Sequence, residues 1–314
     1  MIVNTHYPYI DYRHSDFYLT VRSTHSFSLT YNYASYAPLI YYSTDATNWT
    51  MVKTGDVIDS SDNGYLFLRG SNNTYLTGGQ YTITPLFSCS ASNMIIDGNI
   101  ETLLDYETVQ RGNHPTAANY CFYALFRGWS GLVKGPELPL TTIPAHGYAD
   151  MFLGCTSLRI APELPATTLN TGCYQSMFDG CTSLISVPVF SATTLNTGCC
   201  VSMFMGCTSL TTAPQLSATT LAESCYQGMF EGCTSLTTIP NLPAMYVPFN
   251  AYTYMFYGCS KVKISQTQTS TYKNAYYIGS AASGSLDGMF TNTGGTFAET
   301  PTGNTTYYTS NTVI

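Results

Sequence analysis

A repeat of 26 residues fills the middle of this chain and restricts what the chain can fold into. Its marker is a Met-Phe pair, followed by Gly-Cys and, three residues after the cysteine, by Leu or Val. A unit this short cannot bury its own apolar face, so we expect the units to stack around one continuous core. The pairs are Met151-Phe152, Met177-Phe178, Met203-Phe204, Met229-Phe230 and Met255-Phe256, and Leu125-Phe126 holds the same phase one unit upstream.

Each unit divides into a strand-like half and a half with helical spacing. Around Leu210 the apolar residues have strand-like spacing, and Pro214 can end the strand. Farther along, Cys225, Met229 and Phe230 are spaced as on one face of a helix. Strands stack at about 4.8 Å, whereas helices need nearer ~10 Å. We therefore expect a curved stack with its strands on the concave side.

The flanking segments differ from the repeats in pattern. Alternating apolar runs at 27–31 and 65–69, with a hairpin signal around Asp45, predict a β-rich domain over residues 1–88. Residues 89–120 hold a strand-like run and a helical one, typical of a cap on the first repeat. The repeats proper span 121–262. Residues 263–314, where the period fails, are expected to form the C-terminal cap.

The repeat phrases resemble one known family. Met-Phe-x-Gly-Cys-Thr-Ser-Leu, and Ala-Pro-x-Leu-Pro-Ala-Thr-Thr-Leu at residues 161–169, are similar to the BspA-like leucine-rich repeats of bacterial surface proteins, especially those of gut Bacteroidales bacteria and their phages. The similarity covers roughly residues 94–262. With the repeat pattern it predicts an α+β fold: a leucine-rich-repeat solenoid with short strands and short helices, preceded by a small all-β, sandwich-like domain. The family implies surface attachment and host interaction.

Composition narrows the classes of partner. Charged residues make up only 9% of the chain, and 11 Lys plus Arg give a net charge of −7, so the basic footprint of a nucleic-acid-binding protein is missing. The 27 tyrosines suit an uncharged, hydrogen-bonding surface. No run approaches the roughly 20 apolar residues of a membrane span, so we expect no membrane insertion. The first 18 residues do not have the pattern of a secretory signal.

The sequence offers no constellation for catalysis, for a cofactor or for a metal. The five histidines show no ligand spacing, and no nucleophile or paired acid accompanies His146. Nine of the eleven cysteines follow two repeat phases. With neighbouring units near ~10 Å apart, beyond the roughly 7 Å reach of a disulfide between Cα atoms, we expect these cysteines to be buried small hydrophobes. The sequence therefore predicts a non-enzymatic protein.

Positions that vary between otherwise similar units indicate a surface. We expect a recognition strip along the strand halves, formed by Arg159, Glu163, Thr211, Gln215, Thr237 and Asn241. Neutral drift at solvent-exposed sites explains the same variation equally well.

Three functions follow as hypotheses. The first is a phage virion or tail-fibre protein, at the virion surface or otherwise extracellular, that recognises a host surface glycan or protein. The second is a bacterial cell-surface adhesin without its leader, and the third is a purely structural virion protein. Residues 1–88 are a candidate for contact with other virion proteins, and a homo-oligomer stays open.

Overall fold

Short strands supply most of the regular structure of the chain. The computed structural model describes residues 17–32, 38–76 and 85–314. In chain order the elements are β1 (Leu19–Arg22), β2 (Ser28–Tyr31), β3 (Ile40–Ser43), β4 (Thr50–Met51), β5 (Val57–Asp59), β6 (Tyr65–Gly70), β7 (Phe87–Ser88), β8 (Met94–Asp97), α1 (Thr102–Gln110), β9 (Leu132–Lys134), β10 (Thr142–Ile143), β11 (Thr168–Leu169), β12 (Thr194–Leu195), β13 (Thr238–Ile239), β14 (Tyr246–Val247), β15 (Lys263–Ser265), β16 (Asn274–Ile278), β17 (Ser280–Ala281), β18 (Gly294–Gly295), β19 (Thr305–Thr309) and β20 (Thr312–Val313).

The predicted α+β class, a leucine-rich-repeat solenoid with short strands and short helices behind a small all-β domain, is wrong. Strands account for 24% of the structure and helix for only 3%, spread over several small sheets. The one helix among the described residues, α1, precedes the repeats. The physical reason lies in the backbone hydrogen bonds of the repeat units.

The backbone amides where helical turns are predicted alternate between two kinds of partner. The N–H of Cys200 donates to the carbonyl of Cys225 in the next unit (3.0 Å), and that of Phe204 donates to Met229 (2.9 Å). Between them, the N–H of Met203 donates to Cys200 (3.3 Å) and closes a tight turn. An α-helix keeps these bonds within its own segment. Here half of the amides join one unit to the next.

A left-handed residue recurs at every fourth position of these segments. Gly198, Ser202 and Gly206 have φ angles of 61°, 52° and 68°, in the region that glycine adopts at no steric cost. The segment containing them is one turn layer. The layers with this pattern are residues 120–128, 146–154, 172–180, 198–206, 224–232, 250–258 and 284–292.

Consecutive turn layers lie close together. The phenyl rings of Phe178 and Phe204 stack with centroids 5.5 Å apart, and those of Phe204 and Phe230 lie 5.8 Å apart. The expected spacing of ~10 Å on this side is therefore wrong, and with it the reason for the stack to curve. The stacked column consists of Phe126, Phe152, Phe178, Phe204, Phe230, Phe256 and Phe290.

The repeated cysteine after each glycine has a specific partner. The thiol of Cys181 donates to the carbonyl of Phe152 (3.2 Å), and that of Cys207 donates to Phe178 (3.2 Å). The same bond recurs for Cys155, Cys233 and Cys259. The cysteine thus fills a small buried site, as predicted, and also supplies a weak donor to a buried carbonyl.

One sheet joins the N-terminal strands to the repeats. Its strand order is β4-β3-β6-β1-β8-β9, in which β1 pairs antiparallel with β8 and β8 pairs parallel with β9. This sheet crosses the predicted boundaries at 88/89 and 120/121.

The predicted hairpin around Asp45 is confirmed, since β3 and β4 pair antiparallel. A second sheet has the order β5-β2-β7.

The repeat pattern continues past Val262, where the sequence places the start of the C-terminal cap. The layer at 284–292 receives bonds from the preceding one: the N–H of Phe256 donates to the carbonyl of Met289 (3.1 Å). The longer spacing to this layer accommodates β16, which pairs with β19 in the sheet β16-β19-β15-β18. Strand β20 then lies parallel to β13.

Candidate functional site

The six residues of the predicted recognition strip are all solvent-exposed. Arg159, Glu163, Thr211, Gln215, Thr237 and Asn241 belong to the strand halves of the units, while the apolar residues beside them are buried. Adjacent strand segments are held side by side, since the N–H of Thr237 donates to the carbonyl of Thr211 (2.8 Å). A binding surface must be exposed, but positions that vary by neutral drift are exposed as well. Exposure therefore does not distinguish the two explanations.

The strip is divided into two segments rather than continuous. Parallel bridges join Lys134 to Ile160 and Ile160 to Ser186, and another joins Thr212 to Thr238. No bridge among the described residues joins Ser186 to Thr212. Arg159 and Glu163 therefore form one segment, and the four residues from Thr211 onward form the other.

A cleft of about 640 Å³ lies at the Arg159–Glu163 end of the strip. It contains Glu163 of the strip and Glu137, the equivalent residue one unit earlier. Its apolar lining includes Ile160, which is 60% exposed, and the prolines Pro136, Pro139, Pro162 and Pro165. The φ angle of proline is fixed, which restricts the backbone at these four positions of the lining.

Three charged residues from three strands meet at one side of the cleft. Asp97, at the end of β8, accepts hydrogen bonds from Nε of Arg22 (2.8 Å) and from Nζ of Lys134 (2.6 Å). Burial opposes ionisation of Asp97, but the hydrogen bonds and charges of Lys134 and Arg22 outweigh it and hold the pKa of Asp97 below its usual value. The carboxylate therefore stays ionised and fixes both cations.

The cleft thus has a cationic and an anionic part. The Arg22–Asp97–Lys134 group carries a net charge of +1, while Glu137 and Glu163 carry −2. Both glutamates are exposed, and no ion pair is found for either within the described parts of the chain. An apolar lining with a few placed polar groups is typical of a ligand site.

Sequence reasoning finds Glu163 but misses Arg22, Asp97 and Lys134. These three are distant in sequence and come together only because β1, β8 and β9 are neighbours in one sheet. A usable signal is the proline beside each glutamate, at Pro136-Glu137 and Pro162-Glu163.

His146 and the cysteines, which the sequence also offers as candidate site residues, pack against other parts of the fold. His146 stacks on the ring of Tyr120 with centroids 4.8 Å apart, and burial lowers its pKa. Ten of the eleven cysteines are buried and Cys89 is partly so. Within residues 17–32, 38–76 and 85–314, no three His, Cys, Asp or Glu side chains are grouped so that they could hold a metal ion. None of the helices found there is long and apolar enough to span a membrane.

Comparison with protein families, with characterised proteins and with solved structures finds no match for this chain.

Proposed function

We propose that this protein is a non-enzymatic binding protein, and that the cleft and the recognition strip hold its ligand. The observation that carries the proposal is the cleft itself: paired cations and free carboxylates face an apolar lining that includes four prolines. Its polar groups hold one another by ion pairs, as Arg22, Asp97 and Lys134 do, or point to solvent, as Glu137 and Glu163 do.

The ligand is proposed to be a host surface glycan or protein, and the location a virion surface. The resemblance of the repeats to those of Bacteroidales surface and phage proteins supports this reading. The exposed Thr, Gln and Asn side chains of the strip support it too, since they suit hydrogen bonding to a polar surface. A cell-surface adhesin shares the same binding chemistry.

The test uses the full chain and two variants of equal charge. Binding is measured on a glycan array and on whole Bacteroidales cells, for Glu163→Gln in the cleft and for Glu299→Gln, an exposed glutamate in the C-terminal segment. We expect Glu163→Gln to weaken binding at least about tenfold, which corresponds to one charge-assisted hydrogen bond, and Glu299→Gln to leave it unchanged.

Two outcomes contradict the proposal. If the full chain binds and Glu163→Gln, Arg22→Gln and Thr237→Ala all bind equally well, neither the cleft nor the strip holds the ligand, and the variation along the strip is neutral drift. If the full chain binds no glycan and no cell, a structural role in a particle replaces the binding role.

A further inference from the structure

The guanidinium of Arg69 lies between two aromatic rings. Its Cζ atom is 3.9 Å from the ring centroid of Trp49 and 4.2 Å from that of Tyr106. The three side chains come from separate elements: Trp49 precedes β4, Arg69 is in β6 and Tyr106 is in α1. This arrangement, the Arg69 sandwich, is rigid because both faces of the guanidinium are covered.

Arg69 has no acidic partner among the residues that the structure describes. Its Nε–H is buried without an acceptor, a situation that is rare in native proteins and calls for an explanation. With both faces occupied and Nε closed to solvent, only the terminal Nη–H donors in the plane of the guanidinium can reach a ligand. Such a planar fork matches the two oxygens of a carboxylate.

The nearest acidic residues of α1 are committed elsewhere. Asp105 accepts a hydrogen bond from Thr108 (2.6 Å), and Glu107 pairs with Arg111 (3.1 Å). Neither carboxylate neutralises the charge of Arg69. Their own negative charges nevertheless repel anions of high charge. The net charge of −7 on the whole chain acts in the same direction. A group with a single negative charge is therefore favoured over a phosphate or a polyanion.

The surroundings of the sandwich favour a sugar ring as the carrier of that charge. Tyr18 adds a third ring, 5.9 Å from Trp49. Asn48 and Thr50 lie on either side of Trp49 in sequence and are both exposed; Nδ2 of Asn48 donates to Asp45 (2.7 Å), which leaves its Oδ1 as an acceptor. Aromatic rings contact the C–H groups of a sugar while amides and hydroxyls bond its own hydroxyls. We propose that the Arg69 sandwich binds a uronic-acid type saccharide through its carboxylate, independently of the cleft and the strip.

Tryptophan fluorescence provides the readout. The chain has two tryptophans: Trp49 contacts Arg69, whereas Trp129 is 2% exposed and donates to the carbonyl of Phe87 (2.8 Å). The full chain is titrated with glucuronate and, separately, with glucose, which lacks the carboxylate. We expect a saturable change in Trp49 emission with glucuronate in the millimolar range, on the order of 4 kcal/mol of binding free energy, and none with glucose.

The decisive variant is Arg69→Lys, which keeps the positive charge and removes the planar fork. We expect it to weaken glucuronate binding at least about tenfold, while Arg111→Lys, a matched change on an exposed arginine of the same region, has no effect. Thermal melts identify a variant that has lost its fold, and the comparison of glucuronate with glucose on the parent chain is then the test that needs no variant.

The proposal is overturned if glucuronate and glucose give the same response, or if Arg69→Lys is folded and binds glucuronate as tightly as the parent. The sandwich then serves only to hold α1 on the sheet. It is equally overturned if an acetylated glutamate peptide binds at Arg69 and glucuronate does not, since the ligand is then a protein side chain.

Discussion

Cys200 and Phe190 both depart from the residue type of their columns, and the two departures compensate each other. In the two units on either side, the residues equivalent to Cys200 are tyrosines, Tyr148, Tyr174, Tyr226 and Tyr252, and those equivalent to Phe190 are leucines, Leu138, Leu164, Leu216 and Leu242. The ring of Phe190 lies 6.3 Å from that of Tyr174 and 6.5 Å from that of Tyr226. It therefore fills the space that a tyrosine at position 200 takes elsewhere.

This compensation predicts strong coupling between the two positions. Cys200→Tyr alone overfills the site and is expected to cost about 1–3 kcal/mol, and Phe190→Leu alone leaves a cavity of similar cost. Combined, they restore the arrangement of the other units. Denaturant unfolding of the four proteins measures the cycle, and we expect a coupling energy of at least ~1 kcal/mol in favour of the double variant. Additive effects contradict the compensation.

The phenylalanine column predicts a large effect of one truncation. Phe204 is fully buried and stacks on a phenylalanine on each side. Phe204→Ala is expected to lower the free energy of unfolding by about 3–5 kcal/mol, because the cavity cannot close between hydrogen-bonded layers. Val189→Ala, a residue 73% exposed, is the control and is expected to stay within ~0.5 kcal/mol. Equal losses for both contradict the assignment of Phe204 to the core.

Asp179 makes stability depend on pH. Burial, together with the charges of Asp150 and Glu231, raises its pKa from 3.8 to about 6. When folding raises the pKa of a carboxyl, the contribution of that group to stability is fully present below the pKa of the unfolded state. The contribution is lost as the pH rises toward 6, the pKa of the folded state. Asp179→Asn is therefore expected to stabilise the protein at pH 7.5 by about 1 kcal/mol, after allowance for solvent screening at this half-exposed group. At pH 4 we expect little change.

Thermal melts at the two pH values check this expectation. The exposed Asp62→Asn is the control. A gain that is the same at pH 4 and pH 7.5 points to a cause other than the titration of Asp179.

At the scale of elements, the turn layers explain why a helix is the wrong prediction. Buried residues come in pairs four apart, Cys199-Cys200 and then Met203-Phe204, and over so short a segment a period of four cannot be told from the 3.6 of a helix. The sequence does predict which residues face the core. It does not show where the amides bond, because their partners lie about one unit away.

The same distinction applies to the candidate site. Variation between aligned units predicts that Glu163 and Thr237 are exposed, since exposure follows from the period alone. The cleft depends on Arg22 and Asp97, which lie 75 residues apart in sequence, and on the pairing of β1 with β8. The 26-residue period of the repeats cannot predict which strands pair outside the repeats.

At the scale of the molecule, the shared sheet ties the N-terminal strands to the repeats. Contacts of several kinds cross residue 90. Among them, β1 pairs with β8, Asn73 donates to the carbonyl of Leu103 (3.0 Å), Trp129 donates to the carbonyl of Phe87 (2.8 Å), and the Arg69 sandwich includes Tyr106. The binding activities of the two parts therefore cannot be separated simply by cutting the chain there.

Cutting the chain at residue 90 is accordingly expected to disrupt folding. A fragment of residues 1–90 loses β8 and α1, which leaves β1 as an open edge strand and uncovers the apolar face of β6; unpaired edges of this kind promote aggregation. A fragment of residues 1–112 keeps both elements and is expected to be more soluble and more ordered. Gel filtration and thermal melts by circular dichroism compare the two fragments with the full chain. A monomeric 1–90 fragment with a cooperative melt as high as that of 1–112 contradicts the dependence on β8 and α1, and shows that the N-terminal strands fold without the repeats.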